Sequence, residues 1–193
     1  MNPFAKFLLA ATLGFIFPNP TSAETYEVDA THSALIFSIQ HMGLGNTWGR
    51  FNDFSGKITL DPAHLDQASI EVKAVVASVD SGNKKRDDHL RNTDIFDAGT
   101  YPEMSFSGTG FKDLGEGRYE VSGTFVLREI KQALTVTLRK VGEGKHLQTG
   151  KPALGFETEF SIDRKAFGVG QGKVDGALGQ KVRVIVALEA LAK

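Results

Sequence analysis

The segment that decides the fold is 154–163, which has the sequence LGFETEFSID. Apolar side chains occupy every second position in it, and Thr158 is the only break in that apolar face. Because successive side chains of a β-strand point to opposite faces, this spacing predicts a strand with one face buried and the other in water. The same alternation recurs at 70–76, 119–127, 134–138 and 182–188.

Less regular apolar segments at 34–41, 48–60 and 103–112 bring the predicted number of strands to about eight, separated by turns rich in Gly and Asp. No helix of crossover length alternates with these strands, which excludes a parallel doubly wound sheet. The sequence therefore predicts an all-β fold, an antiparallel meander closed as a barrel or folded as a sandwich. A short helical insertion is expected around 84–97.

The first 23 residues have the features of a signal peptide. Lys6 precedes an apolar run over 7–17, which is too short to span a membrane, and Thr21-Ser22-Ala23 is a small-residue cleavage site. We expect cleavage after Ala23, a single domain over 24–193, and export. The lack of Cys is compatible with a bacterial periplasm, where disulfides are permitted but not required.

The composition argues against several classes of function. Lys+Arg number 22 against 23 Asp+Glu, with no basic block, so no nucleic-acid partner is expected. The lack of Cys removes disulfides and thiol nucleophiles. None of the 5 His stands at a paired metal-ligand spacing, and no Gly-x-Ser-x-Gly motif occurs, so we predict neither a metal site nor catalytic residues. The glycine-rich segment 167–173 lacks the phosphate-loop spacing and is expected to be a connection.

The inward side chains of a barrel of about eight strands either fill its interior or surround one small ligand. Spacing alone leaves both arrangements open. The candidates for such a lining, taken from the apolar faces of the predicted strands, are Phe37, Ile70, Val72, Met104, Phe106, Phe125, Leu154, Phe156 and Phe160.

Five motifs occur in order along the chain: Tyr26-Glu27-Val28-Asp29-x-x-His32-Ser33, Arg86-Asp87-Asp88-His89-Leu90-Arg91, Asp94-Ile95-Phe96-Asp97, Leu127-Arg128-Glu129-Ile130-Lys131 and Leu154-Gly155-Phe156-Glu157-x-x-Phe160-x-Ile162-Asp163-Arg164-x-x-Phe167-Gly168. Together they resemble the YceI family, lipocalin-like periplasmic proteins that bind polyisoprenoids. One step departs from the family pattern, because Glu129-Ile130 stands where the family commonly has a Gly-containing step.

The resemblance implies an extended eight-stranded antiparallel barrel around an apolar tunnel. Its ligand is expected to be a polyisoprenoid lipid, of quinone or polyprenyl type, or a fatty amphiphile, held without a covalent cofactor and without bond chemistry. His89 and Arg91 are candidates for the head group or the tunnel mouth. Alternatively, they form a structural network with Asp87, Asp94 or Asp97. The resemblance is also compatible with a homodimer and with transient membrane contact.

Two other functions stay open from the sequence. The first is an enzyme acting on a sheltered lipid or cofactor, which needs a polar cluster inside the barrel, for example around His32 or His41. The second is a stress-linked interaction protein with a solid core. An interior cavity wide enough for an alkyl chain distinguishes lipid binding from a solid core.

Overall fold

The computed structural model describes residues 23–172 and 175–193, so the predicted signal peptide, apart from Ala23, lies outside the described residues. One α-helix, α1 (Lys84–Arg91), occurs in the described part. The strands are β1 (Glu24–Val28), β2 (Ala34–His41), β3 (Gly45–Phe51), β4 (Phe54–Leu60), β5 (Ser69–Val75), β6 (Val79–Asp80), β7 (Glu103–Gly115), β8 (Arg118–Leu127), β9 (Ile130–Lys145), β10 (Pro152–Asp163) and β11 (Leu178–Ala192).

Eight of the strands form a closed ring in the order β1-β4-β5-β7-β8-β9-β10-β11. The ring closes where β1 pairs antiparallel with the last residues of β11, as in Tyr26 opposite Ala192. Every neighbouring pair in it is antiparallel. This confirms the predicted all-β class and the eight-stranded antiparallel barrel. Closure leaves the ring without a free edge.

The other three strands prolong ring strands beyond short interruptions. β2 lies beside β11, as β1 does, and β3 and β6 follow outward from it. Consecutive strands therefore form three long, interrupted strands of the barrel wall: β1 with β2, β3 with β4, and β5 with β6. The predicted long bent strand over 48–60 corresponds to β3 and β4, which are interrupted at Asn52 and Asp53.

The helical insertion is shorter than predicted. α1 begins after Asn83, whose side chain accepts a hydrogen bond from the Arg86 amide at 3.0 Å, and it ends at Arg91. Turns replace the helix over 92–100, and Asp97 adopts a left-handed φ of 52° there. The helix ends where Asn92 adopts an extended ψ of 166°, and its carbonyl then accepts hydrogen bonds from the Ile95 and Asp97 amides of the following turns. No helix in the described ranges is long and apolar enough to cross a bilayer.

The end of the barrel that contains β1 and β4 has a solid core. Ile58, Val121 and Ala190 are completely buried there. The Phe156 ring packs edge-on against Tyr119, with 6.4 Å between the ring centroids. This half of the barrel therefore has the dense packing of an ordinary protein interior. The end that contains β2, β3 and α1 is different, as described below.

The β8–β9 hairpin turns on two non-glycine residues in the left-handed region, Arg128 (φ 52°) and Glu129 (φ 61°). Such a turn favours Asn-Gly, since both central residues need positive φ. Arg128 is held by hydrogen bonds to the carbonyls of Ile95 and Gly168 and by stacking over the Tyr101 ring. Glu129 occupies the position where the sequence departs from the Gly-containing step.

We expect Glu129→Gly to raise the free energy of unfolding by about 0.5–1 kcal/mol, because glycine adopts positive φ without steric cost. Part of this gain is offset by the greater freedom of glycine in the unfolded chain. Urea unfolding measures the difference. Glu129→Ala is the control, since it removes the same carboxylate and keeps the Cβ. An equal gain from the alanine variant would mean that the side chain, rather than the backbone, is responsible.

Candidate ligand cavity

The half of the barrel that contains β2, β3 and α1 encloses a cavity of about 670 Å³ with a largely apolar wall. This volume lies within the range of typical ligand sites, about 300–1,000 Å³. Most of the predicted lining residues lie on this wall, where strand alternation turns them inward: Phe37, Ile70, Val72, Met104, Phe106, Phe125 and Phe160. Whether they contact a ligand stays a prediction.

The depth of the cavity follows from the register of β2, β10 and β11. Inward positions of β2 line it from His41 near the mouth to Leu35, a distance of about 20 Å along the strand. Side chains of the three strands share levels in this wall. From the mouth inward the levels are Ile39, Val182 and Ile162; then Phe37, Val184 and Phe160; then Leu35, Val186 and Thr158.

Leu154 and Phe156 are not on the cavity wall. Both are buried, and they occupy the next inward positions of β10 below Thr158. The structure therefore places these two predicted lining residues in the solid half of the barrel. The physical reason is that alternation shows which face of a strand points inward, and not how far along the strand the interior is hollow.

The mouth of the cavity is bordered by α1 and the turns that follow it. Lys85, Arg86, His89 and Leu90 of α1 lie on its rim. This segment is anchored by Phe96, whose ring lies 5.7 Å from the Phe51 ring and 6.5 Å from the Phe37 ring, measured between centroids. All three rings line the cavity. The segment therefore covers part of the opening while adding apolar surface to the wall.

The structure separates the two predicted head-group residues. His89 borders the cavity, and its Nε2 lies 3.0 Å from Asp94 Oδ2. Arg91 is not part of the wall, because its guanidinium donates to the carbonyls of Ala77 (2.7 Å) and Val79 (2.8 Å). Arg91 thus ties α1 to the strand below it. A head-group role for His89 stays a prediction.

Arg164 is a residue whose role the sequence did not predict. The residue is 1% exposed and stands at the mouth end of β10. The guanidinium donates hydrogen bonds to the carbonyls of Gly179 (2.9 Å), Val169 (2.7 Å), Gly170 (2.7 Å) and Leu178 (3.1 Å), and to Asp175 Oδ1 (2.9 Å). It therefore organises the β10–β11 connection, including wall residues of the cavity. The sequence did contain a signal for this residue, because Arg164 is a charged residue that continues the series of inward-facing positions of β10.

Glycines on neighbouring strands keep two wall aromatics out of the cavity space. A Cβ at Gly49 would overlap the Phe37 ring, and a Cβ at Gly123 would lie 2.7 Å from Phe106 Cζ. Each ring therefore lies against a glycine backbone, an arrangement that a larger residue would prevent. These glycines help to set the width of the cavity.

Outside the cavity wall, the structure brings together Asp29, His32 and Glu189, whose candidate ligand atoms lie within 4.8 Å of one another. His32 Nδ1 is 2.7 Å from Asp29 Oδ2, and this hydrogen bond raises the pKa of His32 and lowers that of Asp29. Asp29 also accepts from the Thr31 amide, which caps the turn between β1 and β2. His32 is not on the cavity wall, whereas His41 lies near the mouth. The two histidines therefore do not come together inside the cavity.

Residues 26–190 match the family model described as a YceI-like domain. A UPF0312 protein of Shewanella denitrificans is 33% identical over a 193-residue alignment that covers 96% of this chain and 98% of that relative. The structure of Burkholderia cenocepacia BcnA superposes with a TM-score of 0.76 at 28% identity, covering 84% of this chain and 98% of that one.

A polyisoprenoid binding domain from Saccharophagus degradans, implicated in plant cell wall breakdown, superposes with a TM-score of 0.67. The match covers 87% of this chain and 98% of that domain, at 18% sequence identity. This likeness shows that the two proteins share a fold.

Proposed function

The chain belongs to the YceI-like domain family, and on that premise we propose that it binds or carries a polyisoprenoid or similar amphiphilic lipid in its cavity, without making or breaking a bond. The observation that carries this proposal is the apolar cavity of about 670 Å³, open at one end of the barrel. A solved polyisoprenoid binding domain with the same fold supports the ligand class. The cavity argues against the solid-core alternative.

The proposed compartment is the periplasm, reached through the predicted signal peptide with cleavage after Ala23. Lys6, the apolar run at 7–17 and the small residues before the cleavage site support this. Detection of the processed chain in a periplasmic fraction, with an N-terminus at Glu24, tests it. Recovery of the full-length chain in the cytosol would overturn it.

The energetics suit a carrier. Moving one CH₂ group from water into the apolar wall contributes about 0.8 kcal/mol, so a water-exposed chain is strongly retained. A chain that starts in a bilayer is already in hydrocarbon, and its transfer is close to neutral. The protein can therefore shield a lipid in water and release it at a membrane.

Native mass spectrometry of the protein, purified without denaturant from a Gram-negative host, tests the proposed function. We expect a bound mass that is released on denaturation and that fragments as a long-chain lipid. A consistently empty barrel would contradict the proposal. Recovery of a chemically altered lipid, with the change abolished by His41→Ala, would support the enzyme alternative instead.

The proposal includes transient membrane contact through the tip of the β2–β3 hairpin. Met42 and Leu44 are 61% and 88% exposed there, although turns of this kind favour polar residues such as Asn. The Met42 amide donates to the Ala177 carbonyl at 2.8 Å, and Ala177 lines the cavity. The exposed apolar tip thus stands beside the mouth, where a lipid has to cross from bilayer to protein.

We expect the double variant Met42→Ser, Leu44→Ser to slow lipid uptake from vesicles at least about five-fold, because less apolar surface enters the bilayer interface. The final occupancy should not change, since the cavity wall is untouched. Transfer of a fluorescent polyprenol from phosphatidylethanolamine–phosphatidylglycerol vesicles measures the rate.

Leu147→Ser is the matched control, because Leu147 is 100% exposed in the β9–β10 connection at the opposite end of the barrel. Equal slowing in both variants would contradict a specific role for the hairpin.

The homodimer that the family resemblance allows is tested with the same proteins by sedimentation. A dimer that the hairpin substitutions dissociate would assign this surface to a second copy of the chain rather than to the membrane.

A further inference from the structure

The hydroxyl of Thr158 is buried without a partner. Its Oγ1 has less than 1 Å² of exposed surface, and it is the one buried side-chain nitrogen or oxygen of the described residues that makes no hydrogen bond. A buried hydroxyl without a hydrogen bond destabilises a folded protein. Valine has the same shape and would avoid that cost, so the hydroxyl at this position needs an explanation other than packing.

Thr158 lies near the inner end of the cavity, one level before Leu188 of β11, which also lines it. It lies on the wall beside Val186, and it is the deepest residue of β10 that lines the cavity. Every other inward side chain of β10 from Leu154 to Ile162 is apolar. Among these inward positions of β10, Thr158 therefore carries the one hydrogen-bonding side chain, and one such group is enough to orient a ligand.

The ionisable groups on the described cavity wall lie at the other end. They belong to α1, to the end of β2 and to the end of β10: His41, Lys85, Arg86, His89 and Arg164. A charged head group at the inner end would therefore be buried without a counter-charge, which is strongly unfavourable. A neutral head group that needs one hydrogen bond is compatible with Thr158.

We infer that Thr158 is the hydrogen-bonding contact for the neutral, oxygen-bearing head group of a lipid that enters the barrel head first, with its chain toward the mouth. A 120° rotation about χ1 moves the hydroxyl into the position of the methyl group, and the methyl group into that of the Cβ hydrogen, so the hydroxyl can turn to a ligand oxygen. The inference rests on the proposed function and adds the orientation and head-group class of the ligand.

The test compares farnesol, an isoprenoid alcohol, with farnesene, a hydrocarbon of matching chain, by competition in native mass spectrometry. We expect Thr158→Val to weaken farnesol binding about ten-fold, the loss of one hydrogen bond, and to leave farnesene binding unchanged. Thr158→Ser, which keeps the hydroxyl, should retain the preference for farnesol. In the empty protein, Thr158→Val should raise the midpoint of thermal unfolding by about 3 °C or more.

Opposite effects on the empty and the farnesol-bound protein distinguish a ligand contact from a structural role. An unchanged farnesol-to-farnesene ratio in Thr158→Val would overturn the inference while leaving lipid binding intact. If farnesyl phosphate, rather than farnesol, lost affinity in this variant, the neutral head-group assignment would be wrong. Failure of the wild-type protein to bind any of these isoprenoids would contradict the proposed function itself.

Discussion

Replacing Arg164 by methionine is expected to lower the free energy of unfolding by about 3 kcal/mol or more, because several backbone carbonyls lose their donor and each buried unpaired carbonyl costs about 1–3 kcal/mol. The substitution leaves the carbonyls of Val169, Gly170 and Gly179 without this donor, and the hydrogen bonds to Val169 and Gly170 are buried. It also removes one of the two cations that pair with Asp175, which keeps its 2.9 Å contact with Lys165. Urea unfolding followed by circular dichroism measures the loss, and Arg164→Lys should recover only part of it, because lysine lacks the planar fork of donors.

Arg183→Met is the matched control. Arg183 forms two hydrogen bonds of 2.6 Å to Glu159 on the outer surface, and its side chain is about half exposed. An exposed pair of this kind contributes about 0.2–1 kcal/mol. Similar losses in the two variants would mean that burial of the Arg164 guanidinium does not matter, and our explanation of the β10–β11 connection would be wrong.

Val184→Asp is expected to weaken lipid binding by at least about 100-fold at neutral pH, because a lipid in the cavity would bury an unpaired carboxylate. Val184 lies at the middle level of the wall, between Phe160 and Phe37. The empty protein should tolerate the change, since the cavity opens to solvent and the carboxylate can be hydrated. Farnesol affinity and occupancy in the purified protein measure the effect.

The pH dependence gives this variant an internal check. A bound lipid favours the protonated carboxyl group, so the affinity of Val184→Asp should recover as the pH falls through the carboxyl pKa. Val141→Asp is the control, because Val141 is exposed on β9. Unchanged binding in Val184→Asp, with the fold intact, would show that the lipid does not occupy the middle of the cavity.

Strand alternation was sufficient to predict an all-β antiparallel fold, since a period of two identifies a half-buried strand from the residues alone. It left a barrel and a sandwich open, and the barrel was expected from the resemblance to the YceI family. Alternation could not separate Phe156 from Phe160, which have the same parity on β10. Phe156 packs against Tyr119 in the solid half, whereas Phe160 lines the cavity. That difference depends on which strands continue past the interruptions after β1 and β3, a property of the whole barrel rather than of any one segment.

The site itself was predictable in part for the same reason. The wall aromatics follow from alternation, and Thr158 stood out as a break in it. Arg164 was missed, because its partners are mostly backbone carbonyls of a connection that has no periodicity. Arg91 was assigned to the mouth, but its partners are carbonyls of Ala77 and Val79, which are distant in the sequence.

The division of the barrel into a solid and a hollow half has a consequence for how such proteins can diverge. Substitutions around Ile58 and Phe156 are constrained by folding, whereas those around Phe160 and Val184 mainly alter the shape of the cavity that a ligand occupies. Proteins that diverge from one ancestor can therefore acquire wider, narrower or differently oriented cavities while keeping the same solid half of the barrel. Substitutions at the same positions could be used to engineer a set of barrels with cavities of different size.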